Sequence, residues 1–285
     1  MTAQSYLVDT SPQMQKIHPT AVVDKAATLA SDVEIGPYCV IGPNVTLDEG
    51  VRVMSHVVID GHTSIGAHTV VHPFASLGLS PQHLSYKGEP TRLIIGHHNV
   101  IREHVTMHIG TAQGAMETRV GNHSFFMAGC HVAHDCVLED HVILTNNVAL
   151  GGHVHVGEYA NIGGLSGVHQ YVRIGKHAMI GGVTGVEKDV IPYALAMGNR
   201  ARLNGLNIIG LRRRGFSRED IRSLRTAYGL LFSQGGTMAE RLTEVADLFG
   251  SHPGVMDIIN FIRVDSSRPI CTPAAGNGNG NGNGG

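Results

Sequence analysis

Along most of this chain every sixth residue is large and apolar, and few folds can use that period. The run opens with Ile17, Val23, Leu29, Ile35, Ile41, Leu47, Val53, Ile59, Ile65, Val71 and Leu77. It resumes in phase at Ile95, Ile101 and Met107. After a one-residue shift it continues from Val120 through Phe126, Val132, Leu138, Leu144, Leu150, Val156, Ile162, Val168, Ile174 and Ile180 to Val186. None of these positions is polar. A period of six is neither the 3.6 of a helix nor a simple alternating strand, although it is a multiple of two. It suits a short strand followed by a sharp bend, with one large side chain pointing inward per unit. Glycine often follows the apolar residue (Gly36, Gly66, Gly121, Gly151, Gly163), as such bends favour. Two residues before it the chain is small or β-branched (Val33, Cys39, Val45, Val51, Cys130, Cys136, Ala160), which predicts a second inward wall of restricted volume.

This pattern of aliphatic, glycine and small residues resembles the hexapeptide-repeat transferases. The resemblance implies a left-handed parallel β-helix in which three hexads close one coil of 18 residues. Handedness comes only from the resemblance, because parallel crossovers are nearly all right-handed. Eight to nine coils at about 4.8 Å each predict a prism roughly 40 Å tall. The domain reading is a flexible lead over 1–16, the β-helix over 17–194, an α-helical C-terminal domain over 195–265, and a disordered Gly/Asn tail over 266–285. The hexads fail at 78–94 and 108–119, which predicts two loops leaving the prism. Ser217-Arg-Glu-Asp220 reads as a helix cap, with Ile221, Leu224, Tyr228 and Leu231 following at helical spacing. Further helices are predicted over 237–249 and 253–264, covering the open end of the solenoid.

Formal net charge is −2 over 285 residues, so no nucleic-acid surface is signalled. The first residues lack a basic n-region and an apolar h-region, and no run reaches membrane-spanning length. A cytoplasmic protein without an integral membrane segment is expected. Cys39, Cys130 and Cys136 fall on the small wall and read as packing residues in a reducing compartment. Cys271 carries no signal.

Counting in steps of 18 stacks residues into columns. Asp135, His153 and Tyr171 share one; His134, Gly152 and Gln170 share the next; Ala133, Gly151 and His169 the third. Residues scattered along the chain thereby converge within about 10 Å of height. An imidazole titrating near 6.5 suits a general base at neutral pH, and a neighbouring carboxylate can fix its tautomer. With 19 His in the chain, any single one reads more readily as an outward polar residue. The column of His123, His141, Tyr159 and His177 has that plainer reading. The set beside glycines in Ala133-His134-Asp135 stands apart.

The same stretch, His131-Val-Ala-His134-Asp135-Cys136, with Gly152-His153-Val154, Gly167-Val-His169-Gln170, Glu89-Pro-Thr-Arg92 and Arg213-Arg214-Gly-Phe-Ser-Arg-Glu219, closely resembles the UDP-N-acetylglucosamine O-acyltransferases of lipid A synthesis. The resemblance runs from 17 to about 264. It implies a homotrimer, an acyl carrier protein bearing a 3-hydroxyacyl chain, a UDP-sugar acceptor, and neither cofactor nor metal. His134 would be the general base, Asp135 its orienting partner and the Gly152 N–H the oxyanion donor. His131, His153, His169, Gln170 and Gln82 would contact substrate, with Asn207, Arg213 and Arg214 near the nucleotide. Gly182 would set acyl length, its small size leaving room for a longer chain. The cluster of Arg200, Arg202, Arg212, Arg213, Arg214, Arg218, Arg222 and Arg225 reads either as solvated helix charge or as a dock for an acidic carrier. His83, Ser85, Ile109 and Ile209 depart from the family pattern and leave open whether the acceptor is a 3-hydroxyl or a 3-amine. Other readings are a related N-acyltransferase, a zinc carbonic anhydrase on the same prism and a scaffold without catalysis. Against the zinc enzyme, no two His are five apart.

Overall fold

A computed structural model describes residues 16–264 and 268–274; residues 1–15 of the predicted lead and the glycine-rich end lie outside the described residues, while Lys16, the last residue of that lead, already lies in the first strand and pairs with Glu34. Two- to five-residue strands form three parallel faces. The first face runs through 16–17, 34–35 and 52–53 to 179–180 and on to 194–197; the second runs from 22–23 to 185–186, and the third from 28–29 to 173–174. Strand partners are offset by 18 residues, as in Glu34↔Arg52, Val40↔Val58 and Ile143↔Asn161. The hexad residues face inward: those from Ile35 to Val186 are buried. Ile17 is 38% exposed, because none of the described residues packs on the outer side of the first coil. The small wall is buried with them, including Cys39, Cys130 and Cys136 as free thiols.

Both loops are tighter than the hexad count predicts. Val70 pairs with Val100 and Val100 with Phe125, offsets of 30 and 25 that place one insertion in each of two successive coils. The strands Ser76–Leu79 and Arg92–Ile95 leave only 80–91 outside the prism. The strands Thr106–His108 and Glu117–Val120 leave 109–116. Inward-pointing Leu93 and Thr118 extend these strands by two residues beyond the hexad pattern.

The β-structure also continues past the predicted boundary at 194/195. Ala194–Met197 adds to the first face in parallel, and Arg202–Leu206 returns antiparallel to it. The hairpin thus pairs the last coil's exposed edge before any helix begins. Four helices follow: α1 Ile208–Arg213, which the sequence reading lacks, α2 Arg218–Leu231, α3 Met238–Phe249 and α4 Pro253–Val264. Ser217 with Asp220 and Thr237 with Glu240 form reciprocal caps on α2 and α3, satisfying amides the helices cannot pair internally. The stretch read as a disordered tail is ordered over 268–274. Ile270 bridges Asp189, Pro273 bridges Leu203, and Cys271 is buried with its thiol toward the Ala201 carbonyl.

Candidate active site

The corner between the second and third faces carries the His-Asp set. There each coil turns through a residue with positive φ: Asp135 at 59°, His153 at 61° and Tyr171 at 65°. Non-glycine residues adopt that conformation at a cost, and the coil repeat imposes it here. The turn projects their side chains outward one above another. His153 stacks on Tyr171 with ring centroids 4.3 Å apart, and His134 meets His153 edge-on at 5.1 Å. The 18-residue columns appear as main-chain bonds, His153 N–H to the His134 carbonyl and Tyr171 N–H to that of Gly152.

His134 and Asp135 are both buried. His134 Nδ1 lies 2.8 Å from Asp135 Oδ2; the ionised carboxylate accepts from Nδ1–H, which fixes the tautomer that leaves Nε2 with a free lone pair. The second loop closes around the carboxylate. The Thr111 hydroxyl donates to Oδ2 at 2.6 Å, and the amides of Thr111 and Ala115 donate to Oδ1 at 3.1 and 3.0 Å. Burial alone would raise the Asp135 carboxyl, but the Thr111 and His134 hydrogen bonds hold it below its ordinary value. His153 Nε2 stands 3.8 Å from the same oxygen.

Gly152 sits against the imidazole. A Cβ placed there would lie 2.5 Å from His134 Cε1 and 2.7 Å from Nε2, so only glycine fits with the ring in this place. Among the described residues the Gly152 N–H has no acceptor, which makes it a free donor beside the His134 imidazole.

Two imidazoles missing from the predicted set complete the pocket. His108, buried at the start of the second loop, meets the His131 ring at 4.9 Å. Burial, with the His131 and His134 rings adding to it, pulls it down to about 4, so it is neutral at physiological pH. His131 is lowered by burial and by His134, and its Nδ1 is 2.8 Å from Thr106 Oγ1. His83, from the first loop, meets the His134 ring edge-on at 5.0 Å. The Nδ1 atoms of His83 and His108 are buried without partners in the protein, as polar groups awaiting a ligand would be.

The other predicted residues lie elsewhere. His169 and Gln170 occupy the same corner but are exposed. Gln82 is exposed on the first loop. Asn207 caps α1, its amide donating to the His177 carbonyl and accepting from Gly210 N–H. Arg214 donates to the Tyr159 carbonyl and lies over that ring, at the corner between the third and first faces; Arg213 is exposed nearby. Gly182 lies at the remaining corner, over Gly164, where an added Cβ would meet only the Gly164 carbonyl at 3.4 Å. One protomer therefore spreads the predicted set over three corners.

Ligand atoms of His134, Asp135 and His153 lie within 4.8 Å of one another and could hold a metal ion. Their bonds favour proton transfer instead, since the carboxylate is already engaged by three protein donors and His134. No described helix is long and apolar enough to cross a membrane.

Comparison with known proteins agrees with this geometry. Residues 189–271 match the family model for the second domain of UDP-N-acetylglucosamine O-acyltransferase. The acyl-(acyl-carrier-protein)–UDP-N-acetylglucosamine O-acyltransferase of Caulobacter vibrioides is 54% identical over 90% of this chain and 98% of its own. That of Azorhizobium caulinodans is 52% identical over 91% and 96%. The structure of LpxA from Acinetobacter baumannii superposes with a TM-score of 0.86 at 44% identity, covering 89% of this chain and 99% of the other. Relatives this close along the full prism fix the fold as the left-handed parallel β-helix with a helical cap. With near-complete coverage on both sides, this chain belongs to the UDP-N-acetylglucosamine O-acyltransferase family.

Proposed function

We propose that the chain transfers a 3-hydroxyacyl group from acyl carrier protein to the 3-position of UDP-N-acetylglucosamine, the first step of lipid A biosynthesis, in the cytoplasm. The observation that carries this reading is the buried His134–Asp135 pair beside the free Gly152 amide. His134 Nε2 takes the proton from the sugar hydroxyl as its oxygen attacks the thioester carbonyl. The Gly152 N–H stabilises the resulting oxyanion, and Asp135 stabilises the imidazolium. Collapse of the intermediate breaks the C–S bond, and the carrier thiolate takes the proton back from His134. His83, His108, His131 and His153 line the acceptor pocket. No covalent enzyme intermediate is required.

The acyl chain has a route along the outer surface of the second face. Outward positions above His131 are Ala149 and Gly167, both exposed, and they lead toward the corner of Gly182. Asn207, Arg213 and Arg214 stand at a different corner from His134, so one prism presents the nucleotide-binding part to the catalytic part of the next. This supports a homotrimer with composite sites. Arg212, Arg218, Arg222 and Arg225 line one depression on the cap, which suits an acidic carrier protein.

An acyl-transfer assay tests the reading. It offers UDP-N-acetylglucosamine and its 3-amino analogue with carrier-bound 3-hydroxyacyl chains of several lengths. Transfer to one acceptor, abolished in His134→Ala, is the expected result. No transfer to either acceptor, or full activity in a trimeric His134→Ala protein, would overturn it.

A further inference from the structure

The corner between the third and first faces carries a ladder of rings unrelated to the His134 pocket. His68, His98, His123 and His141 each stand at a turn position with φ between 54° and 58°. Consecutive centroids are 4.9 to 5.0 Å apart. His97, beside this ladder, meets both His98 and His123 edge-on. We propose that His97, His98 and His123 form a binding site for a borderline divalent transition-metal ion such as Zn²⁺ or Ni²⁺, with water in the remaining position.

The geometry fits that chemistry. One ring nitrogen from each of the three residues lies within 4.8 Å of the others. His97 Nδ1 and His98 Nδ1 are 3.0 Å apart, sharing one proton between two lone pairs. Ligands bonded to zinc at about 2.05 Å in a tetrahedron stand about 3.3 Å apart, so an ion replaces that proton with little movement. Three imidazoles suit zinc, nickel and copper over magnesium or calcium. An outer layer anchors the backbone: His97 N–H donates to Asn122 Oδ1 at 2.9 Å, and Asn122 donates to Asp140 at 2.7 and 3.1 Å. Such outer partners orient metal ligands.

Isothermal titration with ZnCl₂ tests the site on the whole protein carrying His134→Ala and His153→Ala, which dismantle the other candidate cluster. One zinc ion per chain at micromolar concentration is expected. Adding His97→Ala, His98→Ala and His123→Ala should abolish it. Asn122→Ala should weaken it about tenfold without removing a ligand. Copper loaded into the same protein should show nitrogen hyperfine splitting from three imidazoles. If the triple variant misfolds, single His97→Gln and His123→Gln proteins should each bind at least tenfold more weakly. Unchanged stoichiometry and affinity in these variants, or binding only at millimolar zinc, would overturn the proposal.

Discussion

Gly152 and His134 occupy what would be the same space if either were larger, and that exclusion separates activity from stability at this position. Gly152→Ala puts a methyl group where the imidazole now stands. The ring is the end of a side chain and can swing away, so the fold should lose little. The proposed base would then be displaced by about 1 Å, an error that costs on the order of 100-fold in rate. Expected is a folded protein with a near-normal melting temperature and kcat reduced by about two orders of magnitude. Thr111→Val tests the support beneath the pair. It removes the 2.6 Å hydroxyl donor to Asp135 but keeps both amide donors. A loss of about 1–3 kcal/mol in stability is expected, with a several-fold fall in kcat and little change in KM. At this scale the sequence showed His134, Asp135 and Gly152 together because 18-residue counting is rigid between 120 and 190. It did not show His108 or Thr111. Both approach across the second insertion, where the offset is 25, and nothing in a sequence states how an insertion folds back.

The elements differ in how fully pattern alone determines them. Strands two residues long have little intrinsic preference, and their positions follow from the inward hexad side chains, whose register the period states. Ser217 announced α2, and α3 and α4 were legible in the sequence, whereas α1 was not. The hairpin at 194–206 and the ordered 268–274 segment gave no signal, because each is held by edges that exist only after the last coil is built. Arg173 and Asp189 join these late pieces. Arg173 Nε donates to the fully buried Asp189 carboxylate at 2.7 Å, and its guanidinium reaches the Phe261 carbonyl and ring of α4. The Asp189 carbonyl accepts from Cys271 N–H. Asp189→Ala removes the buried carboxylate that accepts from Arg173 Nε and the Arg173 amide, a change that costs about 1–3 kcal/mol. Thermal melting followed by circular dichroism should show that loss. Limited proteolysis should cut the helical cap and the 268–274 segment before the prism.

On the scale of the whole molecule, the prism and cap meet around His177, Tyr193 and Phe216, and this junction should make the protein acid-sensitive. His177 stacks between Tyr159 and Tyr193 with Phe216 edge-on. Burial pulls it down to about 4, Arg214 and Lys176 push the same way, and Asp257 opposes them. Asp257 itself pairs with Lys176 and accepts from the Tyr193 hydroxyl. In the unfolded chain a histidine titrates near 6.5. Between about pH 6.5 and pH 4 the unfolded chain therefore binds a proton that folded His177 refuses. Stability is full above 6.5, declines as the pH falls through that window and is exhausted near 4, on the order of 3 kcal/mol in all. His108 acts in the same direction from the catalytic pocket, so wild-type protein should lose melting temperature steadily from pH 7 to pH 5. His177→Gln replaces the titrating ring with a neutral side chain and should flatten part of that slope, while lowering the melting temperature at pH 7 through lost stacking. An unchanged slope would show that His177 does not carry the acid sensitivity, and His108→Gln would then measure the share of the buried His108 ring.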